Sequence, residues 1–449
     1  MKKASTIQSS LALLLLGMSV IGCSGNSAEP SGTAGLPGEA AKAGEADAQK
    51  QLSSEPVTLK VNNWNTAFQQ AEFDKYFAEP LRKKYPNITL EYLDFTKGSG
   101  NVLDNLISAG STPDIVFTDH PNLAGLLDYD FPLDLNAYAA RFSVDLKRVD
   151  PQVLEGGKSI GTSGELLALP VYSDRMMWFY NKDAFDRFGI PYPTDDMTWD
   201  EAIAVFKRLS RVDGGTQYSA FRTINLLMTG SQWGLSLFDP KTGRASFQSD
   251  EWKKSLALLQ EINSIPGNTK LTNEDFYQKQ TLASLMQSFN IMVNLLDTAE
   301  QKGQKINWDV ASMPQLKEKP GISGSNKPLY FMVSKASKHK DHAFAAVAHL
   351  MSSKEAQTLL SENGKMTVLS DPDIQKAFGT KLDILKGRNT AAVYKHKMAE
   401  LPYTNKFNRL ALLEMIGAGN EVLNGNADIN SALRNAEEKA NKLIDEKKK

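Results

Sequence analysis

Strands that alternate with helices predict an α/β fold for this chain, arranged as two lobes with a helical C-terminal part. Three observations carry that prediction. One set of alternating segments opens at Val57, a second fills the middle, and the last third is mainly helical in pattern. In the first set, VTLKVNNW (57–64) alternates as a strand. AEFDKYFAEPLRKKY (71–85) then places Phe73, Phe77 and Leu81 on one helix face before Pro86. NITLEYLDF (87–95) and PDIVFT (113–118) read as further strands, separated by a helix at 101–110 that Gly110 stops. Strands spaced by helices imply parallel βαβ units.

In the second set, GELLALPVYSDRMMWFYN (164–181) is apolar and extended, with Pro170 interrupting it. TWDEAIAVFKRLSRV (198–212) opens with Thr198 and Glu201 in capping-box register, and SDEWKKSLALLQEINS (249–264) is another helix. The apolar stretch 281–297, the strand-like NWDVASMPQ (307–315) and LYFMVSK (329–335) follow. Helical patterns then occupy 340–353, 354–364, 407–423 and 428–447.

The composition, 41% hydrophobic and 23% charged, is that of a globular protein. Lysine and arginine number 51 against 52 acidic residues, a net charge of -1, which gives no footprint for nucleic acid. The terminal EKKK reads as a solvated helix end. Cys23 is the only cysteine, so burial rather than a disulfide must hold the fold.

Cys23 also closes a leader. Lys2 and Lys3 precede the apolar run 11–22, too short for a membrane span of about 20 residues but suited to an export signal. Val20-Ile21-Gly22-Cys23 resembles the bacterial lipobox. That resemblance implies a signal peptide over 1–22, a diacylglycerol on the Cys23 sulfur, and anchoring to the extracytoplasmic face of the cell membrane. Residues 23–56 are rich in Gly, Ala, Ser, Glu and Pro, and cannot bury enough apolar surface to offset their ordering entropy. They are expected to form a disordered tether spanning on the order of 30 Å.

The folded part resembles the extracellular solute-binding proteins of family 1, the type II receptors of ABC importers that include the maltose-binding proteins. SAGSTPDIVFTD (108–119), GELLALPVYSDRMMWFYNKDAFDRFGIPYPTDDMTWDEAI (164–203), SKHKDHAFAAVAHLMSSKEAQ (337–357) and INSALRNAEEKANKLI near the end carry the resemblance in order. Two segments depart from the family pattern. TLASLMQSFN (281–290) stands where Gly-x-x-Ala-Met is usual, and GKMTVLSD (364–371) where Gly-x-x-Pro is. The resemblance implies a two-lobed type II periplasmic-binding-protein (Venus flytrap) fold, with lobe one at 57–172 plus 282–334 and lobe two at 173–281 plus 335–449. The chain would cross between lobes near 170–174 and 332–337. It further implies a monomeric, non-enzymatic receptor without cofactor, which takes a mono- or oligosaccharide to ABC permease subunits.

Sugar recognition needs aromatic faces and planar polar groups, and open α/β sheets bind ligands at the carboxyl ends of their strands. Trp64 and Asn65 end the first strand, and Asp119 and His120 follow the third. Tyr172, Asp174 and Arg175 sit at the first crossing; Asp174 falls where the maltose-binding relatives place an acidic hydroxyl acceptor. Phe221, Arg222 and Trp233 lie in lobe two, and Tyr403 precedes the 407–423 helix. Other roles stand beside these: Trp64 as a cover for the sheet, Asp119 and His120 as a turn, Trp233 as lobe core, and Arg175 as the ion-pair partner of Asp174. Trp178, Trp199, Trp252 and Trp308 lie in apolar or amphipathic stretches and read as packing.

An anchored glycoside hydrolase would also carry acids and aromatics, but no local signature names its carboxylate pair. No GxSxG, HExxH, P-loop or GxGxxG occurs. His342 and His349 are two helical turns apart, about 10.5 Å of rise, too far to share one ion. A ligand sensor without a transporter remains a third class.

Overall fold

The computed structural model describes residues 52–64, 68–94, 102–161, 163–222, 226–325 and 327–448. The expected leader, Cys23, the tether up to residue 51 and Asn65 lie outside them. Strands β1 (Val57–Asn63), β2 (Ile88–Leu93), β3 (Ile115–Asp119) and β4 (Leu169–Tyr172) come first along the chain. There follow β5 (Met176–Asn181), β6 (Arg211–Asp213), β7 (Thr216–Arg222), β8 (Leu282–Ser288) and β9 (Trp308–Ala311). Last come β10 (Ile322–Ser325), β11 (Leu329–Val333) and β12 (Lys397–Ala399).

Two five-stranded sheets result, in the orders β2-β1-β3-β11-β4 and β6-β7-β8-β5-β9, with β10 and β12 forming a separate pair. Among the strands of the described residues, β1 pairs in parallel with β2 and β3, β7 with β8, and β10 with β12. The parallel units expected over 57–118 are thus present, and the sheets are mixed elsewhere. β11 runs antiparallel to β3 and β4, and β5 antiparallel to β8 and β9. These reversals arise where the chain leaves one sheet and returns from the other.

The local patterns act as the sequence suggests. Ser249 caps the helix Asp250–Ser264, and Thr198 with Glu201 forms a reciprocal capping box on Trp199–Leu209. The helix read at 71–85 is divided: Gln70–Phe73 and Glu79–Lys84 flank a π turn at Asp74–Ala78. Pro80 accounts for it, since a proline lacks the N–H for the preceding turn and its ring crowds the carbonyl four residues back. Trp178, Trp199, Trp252 and Trp308 are all buried in packed cores. Complete burial of a large apolar side chain contributes about 1.5–3 kcal/mol.

Lobe membership differs from the expected division. β8 and β9 pair with β5, so 282–311 belongs to the second sheet rather than the first. The helices Lys340–Ser352 and Lys354–Glu362 pack into the first core, with Ala343, Phe344, Val347, Met351 and Leu360 buried there. No crossing therefore occurs at 332–337. The chain instead returns to the first sheet through the segment between β9 and β11, and leaves it again between Ile374 and Phe378. The C-terminal helices Asn408–Leu423 and Ile429–Lys447 pack against Asp250–Ser264 in the second body.

Helix α1 (Pro151–Lys158), capped by Asp150, lies close against β4 and β11 because Gly156 and Gly157 present no side chain. A Cβ at Gly157 would fall on the backbone carbonyl of Ala168. Gly157→Ala is expected to lower stability by about 1–3 kcal/mol through overpacking, read as a lower denaturant midpoint with an unchanged slope.

Candidate functional site

Three chain segments lie side by side where the two bodies join. Ser173 exchanges backbone hydrogen bonds with Met366 (2.8 and 3.0 Å), and Asp174 with Lys327 (3.2 and 2.8 Å). Ser173 to Arg175 is the link from β4 in the first sheet to β5 in the second. Successive side chains of an extended segment point to opposite faces, so this ribbon has two chemically distinct sides.

Asp174 faces a front cavity of about 250 Å³. The first body supplies Phe68, Glu72, Asp119, Tyr172, Leu329 and Lys365, and Lys327 comes from the returning segment. Ser288, Asn290, Ile291 and Asn294 come from the end of β8 and the start of α2 (Phe289–Gln301) in the second body. The cavity is thus walled by both bodies and by the hinge.

The carboxylate of Asp174 is buried and accepts from three donors: the backbone N–H of Arg175 (2.8 Å), the backbone N–H of Asn290 (3.3 Å) and the Ser288 hydroxyl. It serves as the cap that α2 lacks from its own N-terminal side chain, and the positive end of the helix favours its charge. Lys365 is buried at 4% exposure, with its ammonium 3.2 Å from Glu72 and 5.1–5.6 Å from the ring centres of Phe68, Tyr76 and Tyr172. Asn290 Nδ2 is buried and has no hydrogen-bond partner among the described residues. An unmade donor of this kind costs about 1–3 kcal/mol, so it marks a place for an acceptor.

Asp119 ends β3 and accepts from Asn122 Nδ2 at 2.6 Å. Burial pushes its carboxyl above the usual aspartate value, against the opposing pull of Lys327 and Asn122. A second, apolar cavity of about 180 Å³ lies between His120 and Pro121 on one side and Leu235, Trp252 and Tyr403 on the other. Near it, Lys406 pairs with Asp128 at 2.7 Å and Asn408 donates to the Pro121 carbonyl at 3.3 Å, joining the bodies.

The sequence pattern of the bacterial extracellular solute-binding protein family matches residues 66–357, more than half of the chain. The chain belongs to that family. An ABC substrate-binding protein from Listeria monocytogenes, in complex with cycloalternan, superposes with a TM-score of 0.70 at 20% identity, covering 87% of this chain and 99% of that one. The sugar-binding protein MalE from Xanthomonas citri gives 0.66 at 16% identity, over 87% and 98%. These likenesses show the two-lobed type II periplasmic-binding-protein fold. The mannitol-binding protein of Pseudomonas aeruginosa is 30% identical over 114 residues, which span 24% of this chain and only 25% of that relative.

Of the residues singled out in the sequence, the fold brings Asp119, Tyr172 and Asp174 together in the front cavity. His120 and Tyr403 line the apolar cavity instead. The His120 ring is buried near Ser159 and Tyr330, and burial pulls its pKa down to about 4. Trp64 is half-buried, edge-on to Tyr129 and against Gly125, with its carbonyl held by Thr118. Phe221 is a core residue stacked on Phe206, and Arg222 is tied to Leu271 and Asn273. Trp233 packs on the second core between the ammoniums of Lys254 and Lys319.

Arg175 is not the partner of Asp174. Adjacent in an extended segment, their side chains diverge, and the guanidinium reaches the carbonyls of Val393 and His396. The histidines of the 340 region are likewise apart: His342 Nε2 lies 3.1 Å from the Ser53 carbonyl, and His349 packs against Tyr85.

The cavity residues not singled out beforehand include Ser288, Asn290, Lys327 and Lys365. Ser288 and Asn290 fall in the departure 281–290, and Lys365 in the departure 364–371. Three of these four therefore lie in the segments read above as departing from the family pattern.

Because burial raises the Asp119 pKa, the folded state holds that proton more tightly than the unfolded state. Stability therefore falls as pH rises from the ordinary value of 3.8 through the raised folded value. Asp119→Asn is expected to raise the unfolding midpoint at pH 7 and to lose that advantage below about pH 4. Thermal scans across pH check the sign; an Asn variant less stable than wild type at pH 7 contradicts it.

Proposed function

We propose that this chain is a lipid-anchored extracytoplasmic receptor that binds a carbohydrate in the front cavity and delivers it to the permease of an ABC importer. The observation that carries the reading is the wall of that cavity: the open donor of Asn290, the Lys365 ammonium, the carboxylates of Asp119 and Asp174, and the rings of Phe68 and Tyr172. Carboxylates, amides and an ammonium suit a ligand with many hydroxyls, and the aromatic faces suit its C–H surface. Relatives named for mannitol and sugar binding support the same class.

The size of the site narrows it. The front cavity measures about 250 Å³. That is room for one hexose or alditol rather than a chain of sugars. Catalysis is not part of the reading. Asp174 is committed to α2 and Ser288, and Glu72 to Lys365, which leaves Asp119 without a second free carboxylate for glycoside hydrolysis. The lipobox and tether supply the anchor in this reading, with Cys23 carrying the lipid.

A thermal-shift screen against hexoses, alditols, longer oligosaccharides, amino acids and polyamines tests it, since binding to the folded form must raise the midpoint. A saturable shift with a monosaccharide or alditol, unchanged after overnight incubation, is expected. A shift from amino acids or polyamines alone, or consumption of the sugar, overturns the reading. Lys365→Met is expected to weaken the sugar by about ten- to a hundredfold in calorimetric titration, the range for a lost hydrogen bond to a charged group.

A further inference from the structure

Behind the hinge ribbon, opposite the sugar-sized cavity, lies a separate cavity of about 430 Å³. Asp150, Gln152 and Thr367 reach it from the first body, Arg175 from the crossing, and Lys395 and Lys397 from the second. Arg175 is the feature the receptor reading leaves unused. The residue is 2% exposed, yet among the described residues no carboxylate forms an ion pair with it. Nε meets Met398 Sδ at 3.3 Å, Nη2 donates to the His396 carbonyl at 3.0 Å, and Nη1 donates to the Val393 carbonyl. These partners are neutral. They occupy three of the five guanidinium N–H groups and leave one on each terminal nitrogen.

The charges around the cavity point the same way. Lys395 and Lys397 are exposed at its rim; Lys395 has Asp196 at 3.5 Å, and Lys397 forms no ion pair among the described residues. Asp150 is the one acidic side chain in the wall, and its Oδ1 is engaged by the N–H groups of Gln152 and Val153 at the start of α1. His396 turns Nε2 to the Asp195 carbonyl and lies 3.6 Å from Asp196. A buried cation without a counter-charge is unfavourable, and burial lowers the pKa of Arg175 to about 10.

We propose that this cavity is an anion site, in which a small oxyanion of the phosphate or carboxylate class takes the free N–H groups of Arg175 and the ammoniums of Lys395 and Lys397. A planar guanidinium with an unused N–H on each terminal nitrogen suits the oxygens of such a group. Because its wall comes from both bodies, the bound anion would hold the hinge in the geometry seen here. The inference does not rest on the identity of the front-cavity ligand.

Thermal unfolding of the purified protein with inorganic phosphate, at ionic strength held constant with sodium chloride, tests it. A saturable rise in midpoint is expected, with no sugar present. The double variant Lys395→Ala, Lys397→Ala removes two exposed side chains and should fold. It is expected to need about tenfold more phosphate for the same rise. A parallel titration with acetate separates the two sources: a saturable rise with either anion supports the site and names its class. No rise beyond the chloride control with either, or an equal rise in the double variant, overturns it.

Discussion

Asp174 is a carboxylate buried at the junction of two bodies, and the molecule is arranged around satisfying it. Removed from water, such a group costs several kcal/mol unless donors converge on it. Here the donors come from the N-terminus of α2, from Ser288 and from the neighbouring peptide N–H. The first two belong to the second body, while the strand that delivers Asp174 leaves the first. One side chain thus registers α2, which carries Asn290, Ile291 and Asn294, against the wall formed by Phe68, Asp119 and Tyr172. The two-residue period of an extended chain does the rest: Asp174 goes to the front and Arg175 to the back. A hinge three segments wide therefore separates a cavity rich in carboxylates from one rich in cations.

Much of the fold was legible because its signals are local. The alternation at 57–63, the capping box at Thr198 and Glu201, and the stop at Gly110 depend only on neighbouring residues. Lobe membership was not legible in the same way. The segment 282–288 reads as an apolar strand in either sheet, and only its register against β5 and β7 places it. The same holds for Lys340–Ser352, whose alanine-rich surface is buried on nearly every side but carries no mark of which sheet buries it. Sheet pairing and helix docking are decisions between distant residues, and one sequence without partners does not display them.

The site divides along the same line. Asp119, Tyr172 and Asp174 were readable because strand ends and crossings are where open sheets admit ligands. Phe221 and Trp233 were misleading because an aromatic ring suits a core as well as a cleft, and these rings found Phe206 and two lysines. Lys365 had no local signature. Its ammonium is placed by Glu72 and three rings nearly three hundred residues upstream or in the hinge, a constellation that exists only after folding.

In the proposed receptor the ligand sits at the front of the hinge, between Asp119, Lys365 and Asn290. A crystal structure with the monosaccharide or alditol that most raises the unfolding midpoint tests it directly. One sugar unit is expected there, with Asn290 Nδ2 donating to a ligand oxygen and Lys365 within hydrogen-bond distance of another. A ligand seated instead in the apolar cavity beside Trp252 and Tyr403, with Asn290 Nδ2 still unbonded, would contradict it.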